Sequence, residues 1–264
     1  MPVKQDAWPE GTPAWVDLMA SDFAAAKGFY GGVFGWEFGE SGEEFGYYAV
    51  ATLDGEAVAG IGPAQSSEGS PPAWTTYLAV EDAAETATRV TDAGGSVFAP
   101  PMAVGDFGTM ALAVDPTGAF FGLWQSGAHT GVNRYNEHGS LAWNEAMVGD
   151  YQSGKEFYAA VFGFDYTEIG DDGFAYSTIE LGGRTVGGLG TASSVGDGVP
   201  PHWRTYFAVD DLDATLAKVL DLGGAVVTQP FDTPFGRMAA VSGVGGEVFL
   251  LSETQSGAEA TATP

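Results

Sequence analysis

The chain has 264 residues, and its 9 Lys plus Arg against 35 Asp plus Glu give a formal net charge of −26 at pH 7. With no run of Lys or Arg, that balance excludes binding along a nucleic-acid backbone and attraction to an anionic membrane surface. The absence of Cys excludes disulfides, thiolate nucleophiles and Cys-ligated metals, while 45% hydrophobic and 13% aromatic residues suffice for one large core or two ordinary ones.

In chain order, Met1–Glu10 carries Lys4, Asp6 and Glu10 without an apolar run, and no stretch approaches the roughly 20 apolar residues that span a bilayer. The reading is a cytoplasmic protein with residues 1–10 as a flexible tail. Trp15–Phe38 then realigns on Trp143–Tyr166 at an offset of 128, with nine of twenty-four positions identical. In both copies a strand begins at the Trp. An amphipathic helix follows an acidic cap, Asp22 or Asp150, and stops at Gly35 or Gly163. Phe29, Tyr30, Phe34, Phe157, Tyr158 and Phe162 recur at helical spacing and are expected in the core.

The repeat continues through Tyr48–Gly62 and Tyr176–Gly190, through Pro71–Trp74 and Pro200–Trp203, and on to Phe107-Gly108 and Phe235-Gly236. A fainter echo inside each half, Pro13-Ala14-Trp15 in Pro72-Ala73-Trp74, divides the chain into four segments of the pattern βαβββ. Gln65–Pro72 and Val195–Pro201 read as connections between quarters, and Gly127–Gly139 as a flexible linker between halves. Ser256–Pro264 has nothing large and apolar to anchor it and is expected to be a second flexible tail. The class is therefore α+β, with domains at residues 11–127 and 140–255.

The element D-x-x-x-A-K-x-F-Y-x-x-V-F-G-W, its copy in the second half, and Asp115-Pro116-Thr117-Gly118 before an apolar strand resemble the vicinal oxygen chelate superfamily of glyoxalase I, bleomycin-resistance proteins and extradiol dioxygenases. Within it the chain is similar to an actinobacterial glyoxalase-like group labelled hydroxylase or 27 kDa antigen. The resemblance implies four βαβββ modules forming two tandem glyoxalase-like domains, each curled around one cavity. It also implies a divalent metal held by His, Gln or Glu at set strand positions. Those positions fall on Trp15, Thr75 and Gly122 in the first half and on Trp143, Arg204 and Leu250 in the second, so neither a metal nor any other cofactor is expected.

If the ligand-position face of each strand lines the cavity, the first cavity receives Trp15, Asp17, Met19, Thr75 and Tyr77, and the second Trp143, Glu145, Met147, Arg204 and Tyr206. Asp17 and Glu145 interrupt apolar strands at matching places. Each is a candidate acid/base, weighed against a solvated residue or an ion pair such as Glu145 with Arg204. His202 and Arg237 are further candidate ligand contacts, weighed against a surface imidazole and a surface salt bridge. His129 and His138 in the linker are assigned nothing.

The leading functional expectation is a binder, or transformer, of an antibiotic or secondary metabolite, the ligand being aromatic or polyketide-like. One alternative is a metal-independent lyase, isomerase or hydroxylase-like enzyme using Asp17 or Glu145; another is a metal-dependent glyoxalase or dioxygenase. Neither nucleic acid nor membrane is an expected partner, and both monomer and homodimer remain open.

Overall fold

The computed structural model describes residues 3–40, 42–64, 72–170 and 174–254. The expected second tail, Ser256–Pro264, and most of the Gln65–Pro72 connection lie outside the described residues.

Four βαβββ modules follow one another. The first comprises β1 (Pro13–Ala20), α1 (Phe23–Phe34), β2 (Glu37–Glu40), β3 (Ala49–Leu53) and β4 (Glu56–Pro63). The second comprises β5 (Trp74–Ala79), α2 (Ala83–Asp92), β6 (Ser96–Val104), β7 (Gly108–Val114) and β8 (Phe120–Ser126). The third comprises β9 (Leu141–Val148), α3 (Tyr151–Phe162), β10 (Asp165–Glu168), β11 (Tyr176–Leu181) and β12 (Arg184–Thr191). In the fourth, β13 (His202–Val209) and α4 (Leu212–Asp221) precede a strand split into β14 (Ala225–Val226) and β15 (Phe231–Thr233), then β16 (Gly236–Ser242) and β17 (Val248–Glu253). Pro230 sits in the split, where it has no backbone N–H to give a ladder.

The helices begin and end where the sequence directs. Asp22 accepts from the Ala25 amide at 2.9 Å and Asp150 from the Ser153 amide at 2.8 Å, and both helices stop at a left-handed Gly, Gly35 or Gly163. Among the described residues no helix is long and apolar enough to cross a membrane.

Each half forms one sheet. The first runs β2-β3-β4-β1-β5-β8-β7-β6 and the second β10-β11-β12-β9-β13-β17-β16-β14, with β15 beside β16. The first strands of paired modules, β1 with β5 and β9 with β13, lie antiparallel at the centre. This sets Trp15 opposite Tyr77 and Asp17 opposite Thr75, and in the other sheet Trp143 opposite Tyr206 and Glu145 opposite Arg204.

The cores cross between halves. One joins the first and fourth modules, with Phe29, Tyr30 and Phe34 of α1 among Phe207, Leu216 and Phe249. The other joins the second and third, with Phe121 and Val90 among Phe157, Tyr158 and Phe162. The expected helical aromatics are thus core residues, but each cluster draws on both halves. Trp74 Nε1 donates to Tyr30 Oη at 3.1 Å, and Tyr30 Oη donates to Glu247 Oε1 at 2.7 Å. Trp203 Nε1 donates to Tyr158 Oη at 2.8 Å, and Tyr158 Oη donates to Asp115 Oδ2 at 3.0 Å.

Two expected flexible segments are ordered by backbone pairing. The linker hydrogen-bonds β1 and β4 through Val132 to Ala14 O at 2.8 Å and Asn133 to Ala57 O at 2.7 Å. Residues 3–10 lie on that linker rather than forming a tail: Lys4 N donates to Asn133 O at 3.0 Å and the buried Trp8 donates through Nε1 to Val132 O at 3.1 Å.

Candidate functional site

Strand alternation turns Trp15 and Asp17 of β1, Tyr77 of β5 and Trp124 of β8 to one face of the first sheet. Asp17 is 4% exposed. Its Oδ2 accepts from Tyr77 Oη at 3.1 Å and from Tyr48 Oη at 3.3 Å, and Tyr48 in turn accepts from Trp15 Nε1 at 2.9 Å. Its Oδ1 is buried with no hydrogen-bond partner among the described residues. Burial is the main influence on this carboxyl and outweighs the two phenol hydrogen bonds, lifting it from 3.8 to about 7.

Two glycines make room for the phenols. A Cβ on Gly60 of β4 would stand 1.7 Å from Tyr48 Oη, and one on Gly122 of β8 would stand 2.1 Å from the Tyr77 ring. Gly122 is also where the resemblance implies an acidic metal ligand, and it pairs in register with Tyr77. A tyrosine therefore fills the space that a carboxylate would need.

His129 reaches Trp15 and Trp124 from the linker. Its ring meets Trp15 edge-on at 4.3 Å and Trp124 at 5.5 Å, while its carbonyl accepts from Trp124 Nε1 at 2.9 Å. The segment leading to it is fastened to the β6–β7 turn through Gly127 N to Phe107 O at 2.8 Å and Ala128 N to Asp106 O at 2.9 Å. His129 Nε2 is buried without a partner among the described residues, and burial lowers the imidazole from 6.5 to about 4. At the rim, Phe107 packs against Phe45 at 5.4 Å.

The matching cluster in the second half has the same scaffold and an added cation, Arg204. Glu145 is 4% exposed, and both its oxygens are engaged: Tyr206 Oη donates to Oε1 at 2.5 Å, Arg204 Nη1 to Oε1 at 2.9 Å, and Tyr176 Oη to Oε2 at 2.8 Å. Trp143 Nε1 reaches Tyr176 Oη at 3.3 Å, matching Trp15 and Tyr48. The ion pair weighed from the sequence is present, and neither oxygen of Glu145 lacks a hydrogen-bond partner, unlike Asp17 Oδ1.

The other sequence candidates fall as follows. Met19 is 42% exposed at the end of β1, whereas Met147 is buried. Thr75 lies across from Asp17 without adding a charge. His202 lies across from Met147, its Nδ1 on Pro200 O at 2.8 Å. Arg237 does not join the cavity: it forms a two-pronged ion pair with Asp213 of α4 at 2.8 and 2.9 Å, on the helix side of the sheet. Sequence reasoning missed Tyr48, Tyr176 and His129. The first two were visible as a Tyr kept in both copies of the repeat; nothing in the repeat marks the third.

The donor set does not suit the divalent ion that the resemblance implies. Trp15, Thr75, Gly122, Trp143, Arg204 and Leu250 offer no imidazole or carboxylate, and among the described residues no three His, Cys, Asp or Glu side chains gather as ligands.

A family model described as the Glyoxalase/Bleomycin resistance protein/Dioxygenase superfamily matches residues 12–123 and 140–251. CFP32 of Mycobacterium bovis, whose name assigns it provisionally to the glyoxylases, is 42% identical over 254 residues, covering 94% of this chain and 97% of its own. The anthracycline biosynthesis protein DnrV of Streptomyces peucetius is 35% identical over 266 residues, covering 96% of each. The Mn(II)-bound glyoxalase from Novosphingobium aromaticivorans shares the fold, with a TM-score of 0.67 at 18% identity over 94% of this chain and 83% of its own. Both halves match the family and the mycobacterial relative spans almost the whole length: this chain belongs to the glyoxalase/bleomycin resistance protein/dioxygenase superfamily.

Proposed function

We propose that this is a cytoplasmic, metal-independent small-molecule protein whose working site is the first cavity, where Asp17 exchanges a proton with a bound secondary metabolite. The observation that carries the reading is the buried, unpartnered Oδ1 of Asp17, beside an Oδ2 held by Tyr77 and Tyr48. The two phenols fix the carboxyl, and the free oxygen is left for a ligand. A carboxyl lifted by burial to about 7 is suited to taking up or giving a proton near neutrality. Trp15, Tyr77 and Trp124, buried on the Asp17 face of the sheet, are the aromatic walls of the proposed pocket. The secondary-metabolite class is supported by DnrV, named for anthracycline biosynthesis, at 35% identity over 96% of the chain. Glu145, both of whose oxygens are held by Arg204, Tyr206 and Tyr176, is assigned a structural role.

The test is native mass spectrometry of EDTA-treated protein against a panel of planar natural products. The expected result is one ligand per chain, held equally by the wild type and Glu145→Gln and at least about tenfold more weakly by Asp17→Asn. Binding that requires an added divalent metal, or that is lost in Glu145→Gln and kept in Asp17→Asn, would overturn the reading.

A further inference from the structure

We infer that the Asp17 cluster is closed by a flap, made of the turn between β6 and β7 at residues 105–107 together with linker residues 127–131, which opens as one piece when Phe107 parts from Phe45. This rests on the reading of Asp17 given above and adds to it the movement that governs access to that carboxyl.

Two segments far apart in function as connections are joined here into one unit. Gly127 N donates to Phe107 O at 2.8 Å, Ala128 N to Asp106 O at 2.9 Å and His129 N to Phe107 O at 3.1 Å. A Cβ on Gly127 would stand 2.5 Å from Asp106 O, so turn and linker meet backbone to backbone. On its inner side the unit lies on the cluster through His129, whose ring stands edge-on to Trp15 at 4.3 Å and whose carbonyl accepts from Trp124 Nε1 at 2.9 Å. Its outer side is latched by the ring of Phe107 against that of Phe45, at 5.4 Å, and Phe107 is itself 46% exposed.

The closed position carries a cost that opening relieves. Asp17 Oδ1 and His129 Nε2 are both buried without a partner among the described residues, and water reaches both once the unit lifts. Against that stand ring contacts and one indole hydrogen bond, ties that break locally while the two cores stay folded. Gly131, left-handed at φ +104°, separates the unit from Val132, whose amide fixes the rest of the linker to Ala14 O at 2.8 Å.

The second half has the scaffold without the latch. Phe235, in the place of Phe107, is 59% exposed and makes no ring contact among the described residues, while Phe174 stacks on Tyr176 at 5.7 Å. Trp143 is only half-buried, whereas its counterpart Trp15 is buried beneath His129.

The experiment measures hydrogen exchange of indole Nε1–H groups in 15N-tryptophan-labelled full chain without ligand. Trp15 and Trp124 report the flap, and Trp74 and Trp203, which donate to Tyr30 and Tyr158 at the junction, report unfolding of the cores. The expected result is that the flap pair exchanges at least about tenfold faster than the junction pair, and that Phe107→Ala speeds the flap pair about tenfold again without moving the junction pair. Phe235→Ala should change neither pair. Because the chain has no Cys, a bifunctional thiol reagent can join Phe45→Cys to Phe107→Cys alone, and this tether should slow the flap pair about tenfold or more. Flap and junction indoles exchanging at one rate in the wild type, Phe107→Ala speeding all four alike, or a tether without effect would each overturn the inference. If Phe107→Ala does not fold, the tethered chain against the wild type decides. No ligand enters this measurement, so failure of the mass-spectrometric test leaves the flap standing, and a flap that stays shut leaves Asp17 to that test.

Discussion

Thr75 and Arg204 occupy the same place in the two halves, each directly across an antiparallel strand pair from the cavity carboxylate, Asp17 or Glu145. One exchange of residue thus separates a carboxyl with a free oxygen from one bound into an ion pair. Thr75→Arg is expected to place a cation beside Asp17, lower its titration towards the ordinary range and weaken binding of neutral ligands about tenfold. Infrared titration of the carboxyl, with Asp17→Asn as the blank, and binding of the planar natural products check both parts; an Asp17 band still titrating near 7 would refute it.

The reverse change tests the second cavity. Arg204→Met leaves a buried Glu145 with two phenols and no cation, which is expected to cost about 3 kcal/mol of stability. The double variant Glu145→Gln with Arg204→Met should recover most of that loss, because the uncompensated charge is gone. Chemical denaturation measures both, and equal losses in the single and double variants would contradict the account.

Asp17 and His129 pull the pH dependence of stability in opposite directions. Asp17 has a raised folded pKa, so between 3.8 and about 7 the folded state binds the extra proton and stability falls as pH rises, by up to about 4 kcal/mol. His129 has a lowered one, so between about 4 and 6.5 the unfolded state binds the extra proton and stability rises with pH. Asp17→Asn removes only the first effect. Its stability relative to wild type should therefore climb steadily from pH 4 to pH 8, as read from melting temperatures at matched ionic strength; a difference that stays constant across that range would refute the burial of the charge.

Crossed cores predict that neither half folds alone. Residues 1–139 would expose the α1 aromatics that Phe207, Leu216 and Phe249 cover, and residues 140–254 the α3 aromatics that Phe121 covers. Expressed singly, each half is expected to aggregate or self-associate, and together to reassemble into a particle of native size on gel filtration. A monomeric first half with a cooperative unfolding transition would rule this out. At the junction, Tyr30→Phe leaves the buried Glu247 with the Gly245 amide, at 3.0 Å, as its donor among the described residues, and should cost roughly 1–3 kcal/mol.

The modules, helix caps and shared strand faces could be read from the sequence because each depends on spacing within one element. Period-2 alternation places Trp15 with Asp17, a side-chain oxygen at Asp22 starts a helix, and an offset of 128 repeats the result. What was not legible depends on distant segments meeting. Tyr30 and Tyr158 look like any helical core aromatic, and their hydroxyls find carboxylates 217 residues later and 43 residues earlier. The linker composition suggests flexibility, yet its backbone pairs with β1 and β4 and carries His129 against Trp15. Arg237 was drawn to the cavity by strand membership, but Asp213 on α4 holds it on the opposite face.

The two phenols at the junction meet carboxylates that are not counterparts in the repeat. Shifted by 128, Asp115 falls on Gly243, and the charge that serves Tyr30 comes from Glu247, four residues further along the same turn. What the molecule preserves is a negative charge at a location in space, free to be encoded from either end of a hairpin. Comparing the halves column by column would score positions 115 and 243 as a lost residue and 247 as an unrelated gain. An engineer grafting one half onto another would do better to match the reach of a carboxylate to a buried phenol than to match letters.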